Sequence, residues 1–231
     1  MSLMMGSLYL VRHGQASFGA TDYDQLSDLG HRQAERLGTY WAERGMCFDA
    51  VLTGALKRHA QTWAGIAQGA HWDDTPTVWP GLNEYNSEAL IHEVLRAHST
   101  SQERPSHTPD DHRAHFRLLR DGLKLWMDGS ANPPGMPRYG DFVRGITDAL
   151  DHVRTHHAGQ RVLMVSSGGP IAAAVGHVLG LSPQSIIDLN MRIRNSAVTE
   201  FVFNPKRHSL LTYNTLPHLN DSAHAAWVTY A

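Results

Sequence analysis

Arg12 and His13 stand directly after a short apolar run, Leu8–Val11, and are followed by Gly14. A run of this kind is typical of a strand that is buried on both faces of a sheet. Ligands of open α/β sheets bind beyond the carboxyl ends of the strands. The two residues are therefore expected at a binding site, to which they bring a guanidinium group and an imidazole.

Three further candidate residues follow the ends of other extended segments. Arg58 comes after FDAVLT, Glu84 follows TPTVWP, and Ser167 follows RVLMVS and precedes two glycines and a helix. If these strand ends converge, one pocket contains two guanidinium groups, an imidazole, a carboxyl group and a helix N-terminus.

This inventory suits a phosphoryl group. Arginine forks match phosphate oxygens, and the free N–H groups at a helix N-terminus favour an anion. A neutral histidine can accept a phosphoryl group, while a carboxylic acid can protonate the departing oxygen and then help to activate water. None of these steps requires a metal or another cofactor, and neither is predicted.

The elements that position these residues alternate between strand and helix. Helices are predicted after the capping residue Ser27, over residues 56–68, 87–97, 110–127 and 141–156, and after Ser167, with Pro170 in the first turn of this last one and Gly180 near its end. The segments AVTEFVFN and HSLLTYN predict a terminal hairpin. The pattern predicts an α/β fold with a doubly wound, mostly parallel sheet flanked by helices.

The segment 85–140 contains predicted helices but no convincing strand, so we expect a helical lid or insertion subdomain within one domain that spans residues 1–231. Its arginines suggest a basic lid that attracts an anionic substrate; they are Arg96, Arg104, Arg113, Arg117 and Arg120. The histidines His107, His112 and His115 lie in the same polar segment without cysteines, so no metal site is predicted there.

Composition restricts the class of protein. The net charge of −2 gives no general reason to expect a nucleic acid or an anionic membrane as partner, and no long apolar run predicts a membrane span. A single cysteine, Cys47, and a start without signal-peptide features predict a cytoplasmic protein. The expected partner is a small phosphorylated substrate, and the terminal hairpin offers an edge for a possible homodimer.

In several segments the sequence resembles the histidine phosphatase superfamily, which includes the cofactor-dependent phosphoglycerate mutases. LVRHGQ is similar to the family signature, LSDLGHRQAERLG to the segment that follows it, and ALKRHAQT to the second-arginine motif. LNE matches the position of the acid/base, VLMVSSGGPI matches the last motif, and RNSAVTEF is similar to the next strand. The motifs occur in the right order over most of the chain, so the phosphoglycerate mutase-like fold is expected.

The resemblance implies a role for each candidate. His13 is the nucleophile that becomes phosphohistidine, Glu84 protonates the leaving group, and Arg12 and Arg58 hold the phosphoryl oxygens. The family usually has a second histidine in its last motif, where this chain has Ser167. Ser167 is expected either to contact phosphate or to cap the following helix. A further candidate for phosphate contact lies in the loop after the nucleophile, namely Gln15.

The sequence favours metal-independent hydrolysis of a small phosphomonoester and leaves alternatives open. A serine in place of the second histidine is compatible with a catalytically weak or inactive protein that binds a phosphorylated ligand. A mutase is less favoured, because Glu84 is followed by YNSEALIHE rather than by the arginine- and tyrosine-containing segment that grips phosphoglycerate. An acyl hydrolase that uses Ser167 would leave Arg12, His13 and Arg58 without a role.

Overall fold

The computed structural model describes residues 5–17, 24–97 and 109–230. The six strands of its one sheet are ordered β3-β2-β4-β1-β5-β6. They are β1 (Gly6–Arg12), β2 (Ala50–Thr53), β3 (Thr77–Val78), β4 (Arg161–Ser166), β5 (Val198–Asn204) and β6 (Arg207–Thr215). The first four strands are parallel to one another, whereas β5 is antiparallel to both β1 and β6.

Seven α-helices connect or follow the strands in the described ranges. They are α1 (Asp28–Ala42), α2 (Lys57–Ala70), α3 (Ser87–Ala97), α4 (Pro109–Met127), α5 (Tyr139–His156), α6 (Gly168–Leu179) and α7 (Pro183–Asn190). None of the helices in these ranges is long and apolar enough to cross a membrane.

The strand order and the flanking helices confirm the doubly wound, mostly parallel sheet that the sequence predicts.

Two hydrophobic cores cover the two faces of the sheet, which explains the continuous apolar runs of the central strands. Leu8 and Leu10 of β1 pack into the core that contains α5 and α6, while Val11 packs into the core formed with α1 and α2. Strand β4 alternates in the same way, because Met164 belongs to the first core and Val165 to the second. A strand buried on both faces can therefore dispense with polar positions.

Local signals place some of the helix boundaries. The Ser27 side chain accepts a hydrogen bond from the Gly30 N–H and caps α1 as predicted. Helix α6 has Pro170 in its first turn and ends at Gly180, whose φ of 65° is left-handed. Helix α7 and three short 3-10 helices, Pro80–Leu82, Pro217–Leu219 and Ser222–Trp227, were not predicted.

The segment predicted as a lid contributes α3 and α4, which lie between β3 and α5 along the chain. The two helices pack against each other. Helix α4 also contacts α7 and α5. Of the residues proposed for this lid, Arg104 and His107 lie outside the described residues, and so does the side chain of His112. At the far edge of the sheet lies β6, the strand considered for pairing between two copies.

Candidate active site

The carboxyl ends of β1, β4 and β2 meet at one edge of the sheet because the three strands are parallel neighbours. Arg12 pairs with Ser166 in the register, so His13 and Ser167 leave the sheet side by side. A backbone hydrogen bond of 2.9 Å from the His13 N–H to the Ser166 carbonyl holds this alignment. The 3-10 helix Pro80–Leu82 then leads Glu84 to the same edge.

A pocket of about 620 Å³ opens at this edge. Four of the predicted site residues line it together, namely Arg12, His13, Arg58 and Glu84. The other two predicted residues, Ser167 and Gln15, are not among its lining residues. Helix α4 supplies an outer wall with Arg113, Phe116, Arg117, Leu119 and Arg120.

The imidazole of His13 is held in the tautomer that a nucleophile needs. Its Nδ1 lies 2.7 Å from the Gly14 carbonyl oxygen, which can only accept, so Nδ1 carries the proton and Nε2 keeps a lone pair. Burial, followed by the charges of Arg12 and Arg58, lowers the pKa of His13 well below its ordinary value. The ring is therefore neutral at neutral pH, with its lone pair available for attack.

Both predicted arginines are fixed by contacts away from the imidazole. Nη1 of Arg12 donates to the carbonyl oxygens of Ile193, at 2.5 Å, and Tyr230, at 2.7 Å. Nη1 of Arg58 donates to the Asp24 carboxylate at 2.7 Å, and Arg58 is only 8% exposed. Side chains held in this way lose little freedom when an anion binds, so the pair is suited to anion binding.

The carboxyl group of Glu84 faces the start of α6. Its Oε2 accepts from the Gly169 N–H at 3.1 Å, and its Oε1 accepts from the Tyr85 N–H at 3.3 Å. Burial raises the pKa of Glu84 above its ordinary value, although the hydrogen bond from Gly169 and the charges of Arg58 and Arg12 oppose this effect. A raised pKa is what a general acid near neutral pH requires.

The neighbouring acidic residues of α3 have other surroundings. Glu88 is exposed in the first turn of the helix, and the Glu93 carboxylate pairs with Arg96 at 2.5 Å. Neither lines the pocket. Among the described acidic residues, only Glu84 is in a position to protonate a leaving group there.

Ser167 contacts a histidine that the sequence analysis did not single out. The Ser167 hydroxyl lies 2.7 Å from Nε2 of His59, and both residues are 0% exposed. Ser167 is the N-terminal boundary residue of α6, but its side chain makes no capping hydrogen bond. Position 54 must be small here, because a Cβ on Gly54 would lie 2.1 Å from Nδ1 of His59.

The tautomer of His59 follows from its hydrogen-bond pattern. Its Nδ1 is buried and has no hydrogen-bond partner in the described part of the chain. A buried N–H without a partner is rarer than an unsatisfied acceptor, so we assign the proton to Nε2, which donates to the Ser167 oxygen. Burial, followed by the Arg58 charge, lowers the pKa of His59 to about 3, so the ring is neutral.

The contact between Ser167 and His59 resembles the nucleophile–base pair of a serine hydrolase, but its surroundings argue against that chemistry. Both side chains are fully buried and neither lines the pocket, so a substrate carbonyl has no approach to the hydroxyl. No third group orients Nδ1 within the described residues, as such a base requires. The acyl-hydrolase alternative therefore gains no support.

Gln15 stabilises the backbone next to His13 and is not among the residues that line the pocket. Its side-chain oxygen accepts from the Ser27 hydroxyl at 2.9 Å, and its N–H donates to Oε1 of Gln33 at 2.8 Å. The neighbouring Gly14 N–H donates to Oγ1 of Thr62 at 3.1 Å. These contacts tie the loop after β1 to α1 and α2, which fixes the direction of the His13 ring.

The C-terminal tail was not expected at the site. Besides the bond between the Tyr230 carbonyl and Arg12, Tyr230 lines the pocket. Thr229 anchors this segment through its hydroxyl, which donates to Oδ1 of Asn195 at 3.0 Å and accepts from Nε2 of Gln33 at 3.0 Å. The sequence carries no motif that would predict these contacts.

Two observations concern metals and the remaining histidines. In the ranges that the structure describes, no group of three or more His, Cys, Asp or Glu side chains is arranged to hold a metal ion. His115, the described member of the predicted histidine trio, lines the pocket beside Phe116. We therefore assign no metal ligands at this site.

Comparisons of sequence and of structure find similar proteins. A 2,3-bisphosphoglycerate-dependent phosphoglycerate mutase of Corynebacterium glutamicum is 28% identical over 211 residues, which cover 80% of this chain and 82% of that protein. A phosphoglycerate mutase of Bacillus anthracis superposes with a TM-score of 0.66 at 15% identity, over 94% of this chain and 96% of the other. A phosphoserine phosphatase variant of Entamoeba histolytica, in complex with phosphoserine, superposes with a TM-score of 0.63 at 18% identity, over 93% and 99% of the two chains.

The superfamily to which such proteins belong matches nearly the whole chain. Its sequence profile spans residues 8–216 and so includes most of β1, all of β2 and β4, and every residue of the pocket except Tyr230. The segment after residue 216, which contains the tail, lies outside the match. The protein belongs to the histidine phosphatase superfamily (branch 1), whose members include phosphatases and mutases.

Proposed function

We propose that the protein is a metal-independent phosphatase that hydrolyses a small phosphomonoester through a phosphohistidine on His13. The observation that carries the proposal is the state of His13, whose Nδ1 proton is held by a carbonyl while Nε2 keeps its lone pair beside two arginines. An imidazole used only to bind an anion would be better protonated, whereas burial here lowers its pKa.

In the first half-reaction Nε2 of His13 attacks phosphorus. The nitrogen–phosphorus bond forms as the bond from phosphorus to the ester oxygen breaks, and that oxygen takes a proton from Glu84. Arg12, Arg58 and the N-terminus of α6 stabilise the charge on the phosphoryl oxygens. Because its pKa is raised, Glu84 can carry the proton that it donates, and because its pKa is lowered, His13 is neutral and keeps the lone pair with which it attacks.

In the second half-reaction water attacks the phosphohistidine and transfers a proton to the Glu84 carboxylate. The nitrogen–phosphorus bond breaks, its electron pair returns to Nε2, and inorganic phosphate is released. Each group ends in the protonation state in which it began. The cycle therefore needs no metal, reductant or second substrate.

The first test is hydrolysis of p-nitrophenyl phosphate in the presence of EDTA by the wild-type protein and by His13→Ala. We expect turnover by the wild type, no turnover by His13→Ala, and unchanged turnover by His31→Gln, which replaces an exposed histidine of α1. The phosphohistidine of the wild type can also be isolated during turnover, and the reaction is then not quenched with acid because phosphohistidine is labile to acid. Turnover that persists in His13→Ala would contradict the proposal.

A phosphate-ligand binding protein is the second candidate, and the buried state of Ser167 favours it. The family usually has a histidine at this position, which is a charged hydrogen-bond donor when protonated. Here a fully buried serine hydroxyl stands in its place and is hydrogen-bonded to His59. This candidate predicts no turnover but micromolar or tighter binding of a phosphomonoester that is lost in Arg58→Ala. A phosphoglycerate mutase is the third candidate, and it would interconvert phosphoglycerates faster than it releases phosphate.

A further inference from the structure

The first turn of α6 has fewer backbone donors than the first turn of an ordinary helix. In α1 and α7 the hydroxyl of a capping serine accepts from the N–H of the third helical residue; the pairs are Ser27 with Gly30, at 3.1 Å, and Ser182 with Ser185, at 3.2 Å. The third residue of α6 is Pro170, which has no N–H. A capping side chain can otherwise accept from the second residue, so Gly169 is the donor that remains for Ser167.

That single donor has two possible acceptors. The Gly169 N–H donates to Oε2 of Glu84 at 3.1 Å, so the carboxyl group takes the hydrogen bond that a capping hydroxyl would use. A Cβ on Gly169 would lie 2.2 Å from Oε1 of Glu84, which shows how closely this turn fits the carboxyl group. Ser167 has the extended backbone of a capping residue, with φ −119° and ψ 174°. Its hydroxyl would therefore compete with Glu84 if its side chain turned toward α6.

The hydrogen bond from His59 removes the hydroxyl from this competition. Nε2 of His59 lies 2.7 Å from the Ser167 oxygen, and both residues are fully buried. The ring is backed by Gly54, where even a Cβ would lie 2.1 Å from Nδ1. Breaking a hydrogen bond between buried groups costs free energy, because neither group can turn to water instead. The Ser167 hydroxyl thus stays with α2, and the Gly169 N–H is left to Glu84.

We propose that His59 is a positioning residue, which holds the Ser167 hydroxyl away from the first turn of α6 and so reserves the Gly169 N–H for the carboxyl group of Glu84. The inference rests on the proposed function, because it concerns the orientation of the acid in the same site. His59 does not line the pocket, so it acts through Ser167 and not on the substrate.

The leaving group of the substrate distinguishes this role from a structural one. The ester oxygen of propyl phosphate must be protonated as it leaves, whereas that of p-nitrophenyl phosphate needs little help. In His59→Leu the Ser167 hydroxyl loses its donor and accepts from Gly169, so Glu84 loses its fixed orientation. We expect kcat/KM for propyl phosphate to fall roughly 10- to 100-fold, as misplacement of a reacting group typically costs, and kcat/KM for p-nitrophenyl phosphate to change far less. Equal losses on the two substrates would overturn the inference.

Two further variants show whether the hydroxyl carries the effect. His59→Gln keeps a side-chain N–H that can donate to Ser167, so it should retain the wild-type ratio of the two kcat/KM values. His59→Leu/Ser167→Ala has no hydroxyl that could compete for Gly169, so it should recover most of that ratio. A double variant as impaired on propyl phosphate as His59→Leu would contradict the proposed competition.

His218→Leu is the matched control, because His218 forms another buried pair with a serine. Its Nε2 lies 2.9 Å from the Ser196 hydroxyl, and it does not line the pocket. Loss of this pair should lower the stability of the protein and leave the ratio of the two kcat/KM values unchanged. If the ratio changed as much as in His59→Leu, the effect would be one of stability and the inference would fail.

A measurement without substrate reports on the carboxyl group directly. The amide proton resonance of Gly169, observed by NMR in ¹⁵N-labelled protein, should shift as Glu84 titrates, because the two groups are hydrogen-bonded. The guanidinium groups of the pocket do not titrate in this range. The other titratable side chains that line the pocket are unchanged in Glu84→Gln, so a step that is absent in this variant belongs to Glu84; they are His13, Tyr85, His115 and Tyr230.

This titration separates the inference from the proposed reaction. The step should be lost in His59→Leu and should return in His59→Leu/Ser167→Ala. If the wild type proves inactive on both phosphates but the amide behaves in this way, the proposed phosphatase fails and the positioning role of His59 stands. If the wild type is active and the step persists in His59→Leu, the phosphatase stands and the inference fails.

Discussion

At the scale of single residues, the side chains of Ser167 and His59 lie in contact in one buried region. Their side chains are in hydrogen-bond contact at 2.7 Å, neither is exposed, and Gly54 leaves no spare space on the far side of the ring. The sequence showed that position 167 lacks the histidine expected from the family. It could not show that a histidine from α2 fills the adjacent space, because the two positions are distant in sequence and their contact depends on the packing of α2 against β4.

This packing makes the two positions interdependent. Ser167→His should destabilise the protein by about 1–3 kcal/mol, the usual cost of inserting atoms into a packed core. Adding His59→Ala should recover most of that loss because it empties the volume that the new ring needs. Urea unfolding of the wild type, both single variants and the double variant measures the coupling energy directly.

A single variant Ser167→His as stable as the wild type would show that the space is not shared. The catalytic value of a histidine at position 167 should accordingly be judged in the double variant. In Ser167→His alone, a loss of activity would also follow from the displaced His59 and the neighbouring Arg58.

The proposed roles of His13 and Glu84 predict a dependence on the leaving group. Glu84→Gln should lower kcat/KM for an alkyl phosphate by roughly 10²- to 10⁴-fold, the usual contribution of a general acid, and should affect an activated aryl phosphate far less. Glu88→Gln, a change on the adjacent exposed turn of α3, is the control and should alter neither. Equal losses on both substrates would argue for a structural role of Glu84.

The pH profile follows from the same two groups. Because the pKa of Glu84 is raised, alkyl phosphate hydrolysis should persist above the ordinary carboxyl range and then fall as pH rises through that pKa. Because the pKa of His13 is lowered, the acid limb should lie well below pH 6.5. An aryl phosphate should lack the alkaline limb, and an alkyl phosphate rate that is flat from pH 5 to about 9 would contradict the assignment.

At the scale of elements, the sequence was most informative where local signals and burial agree. The apolar runs of β1 and β4, the Ser27 cap and the Pro170–Gly180 helix are each specified by nearby residues. Helix α7 has only eight residues and one buried side chain, Ile187, so no periodic pattern indicated it. The tail is held partly through a backbone carbonyl, a group that every residue possesses, and partly through the Thr229 hydroxyl, whose partners are distant in sequence. Its contacts could therefore not be predicted from the sequence.

The tail contact predicts the effect of a truncation. Removing residues 229–231 deletes the Tyr230 carbonyl that accepts from Arg12 and the Thr229 hydroxyl that bonds to Gln33 and Asn195. Arg12 then loses one of its fixed contacts, so kcat/KM for p-nitrophenyl phosphate should fall roughly 10- to 100-fold, as misplacement of a positioning group typically costs. The inhibition constant of inorganic phosphate should rise with it.

Thr229→Val serves as the companion variant because it removes the anchoring hydroxyl but keeps the Tyr230 carbonyl. It should fall between the wild type and the truncated protein. The melting temperatures of all three proteins separate loss of the site from loss of the fold. Full activity of the truncated protein would show that Arg12 keeps its position without the Tyr230 carbonyl.

At the scale of the whole molecule, several histidines are folded into the interior in neutral form. His59 is 0% exposed and bonded to Ser167, while His218 is 1% exposed and bonded through Nε2 to the Ser196 hydroxyl at 2.9 Å. Burial is the first cause that lowers the pKa of each to about 3. His59 lies next to Arg58 in α2, and His218 lies in the C-terminal segment, so two separate parts of the fold are sensitive to acid.

The sign of that sensitivity follows from proton binding. Between about pH 6.5 and 3 the unfolded chain protonates both histidines while the folded protein does not, so stability falls as pH is lowered through this window. Each histidine contributes a slope of about 1.4 kcal/mol per pH unit at full protonation of the unfolded state. Glu84 has the opposite sign, because its raised pKa favours the folded state in acid.

Urea unfolding at intervals from pH 7.5 to about 4.5 measures this slope. His218→Gln, which can still donate to Ser196, should reduce the slope by about 1.4 kcal/mol per pH unit, the contribution of one proton. Ile187→Val provides the comparison, because trimming a buried methyl group should lower stability by about 0.5–1.5 kcal/mol at every pH without changing the slope. If His218→Gln and Ile187→Val gave parallel curves, proton uptake by His218 would not be what destabilises the protein in acid, and the loss would have to come from the remaining buried groups.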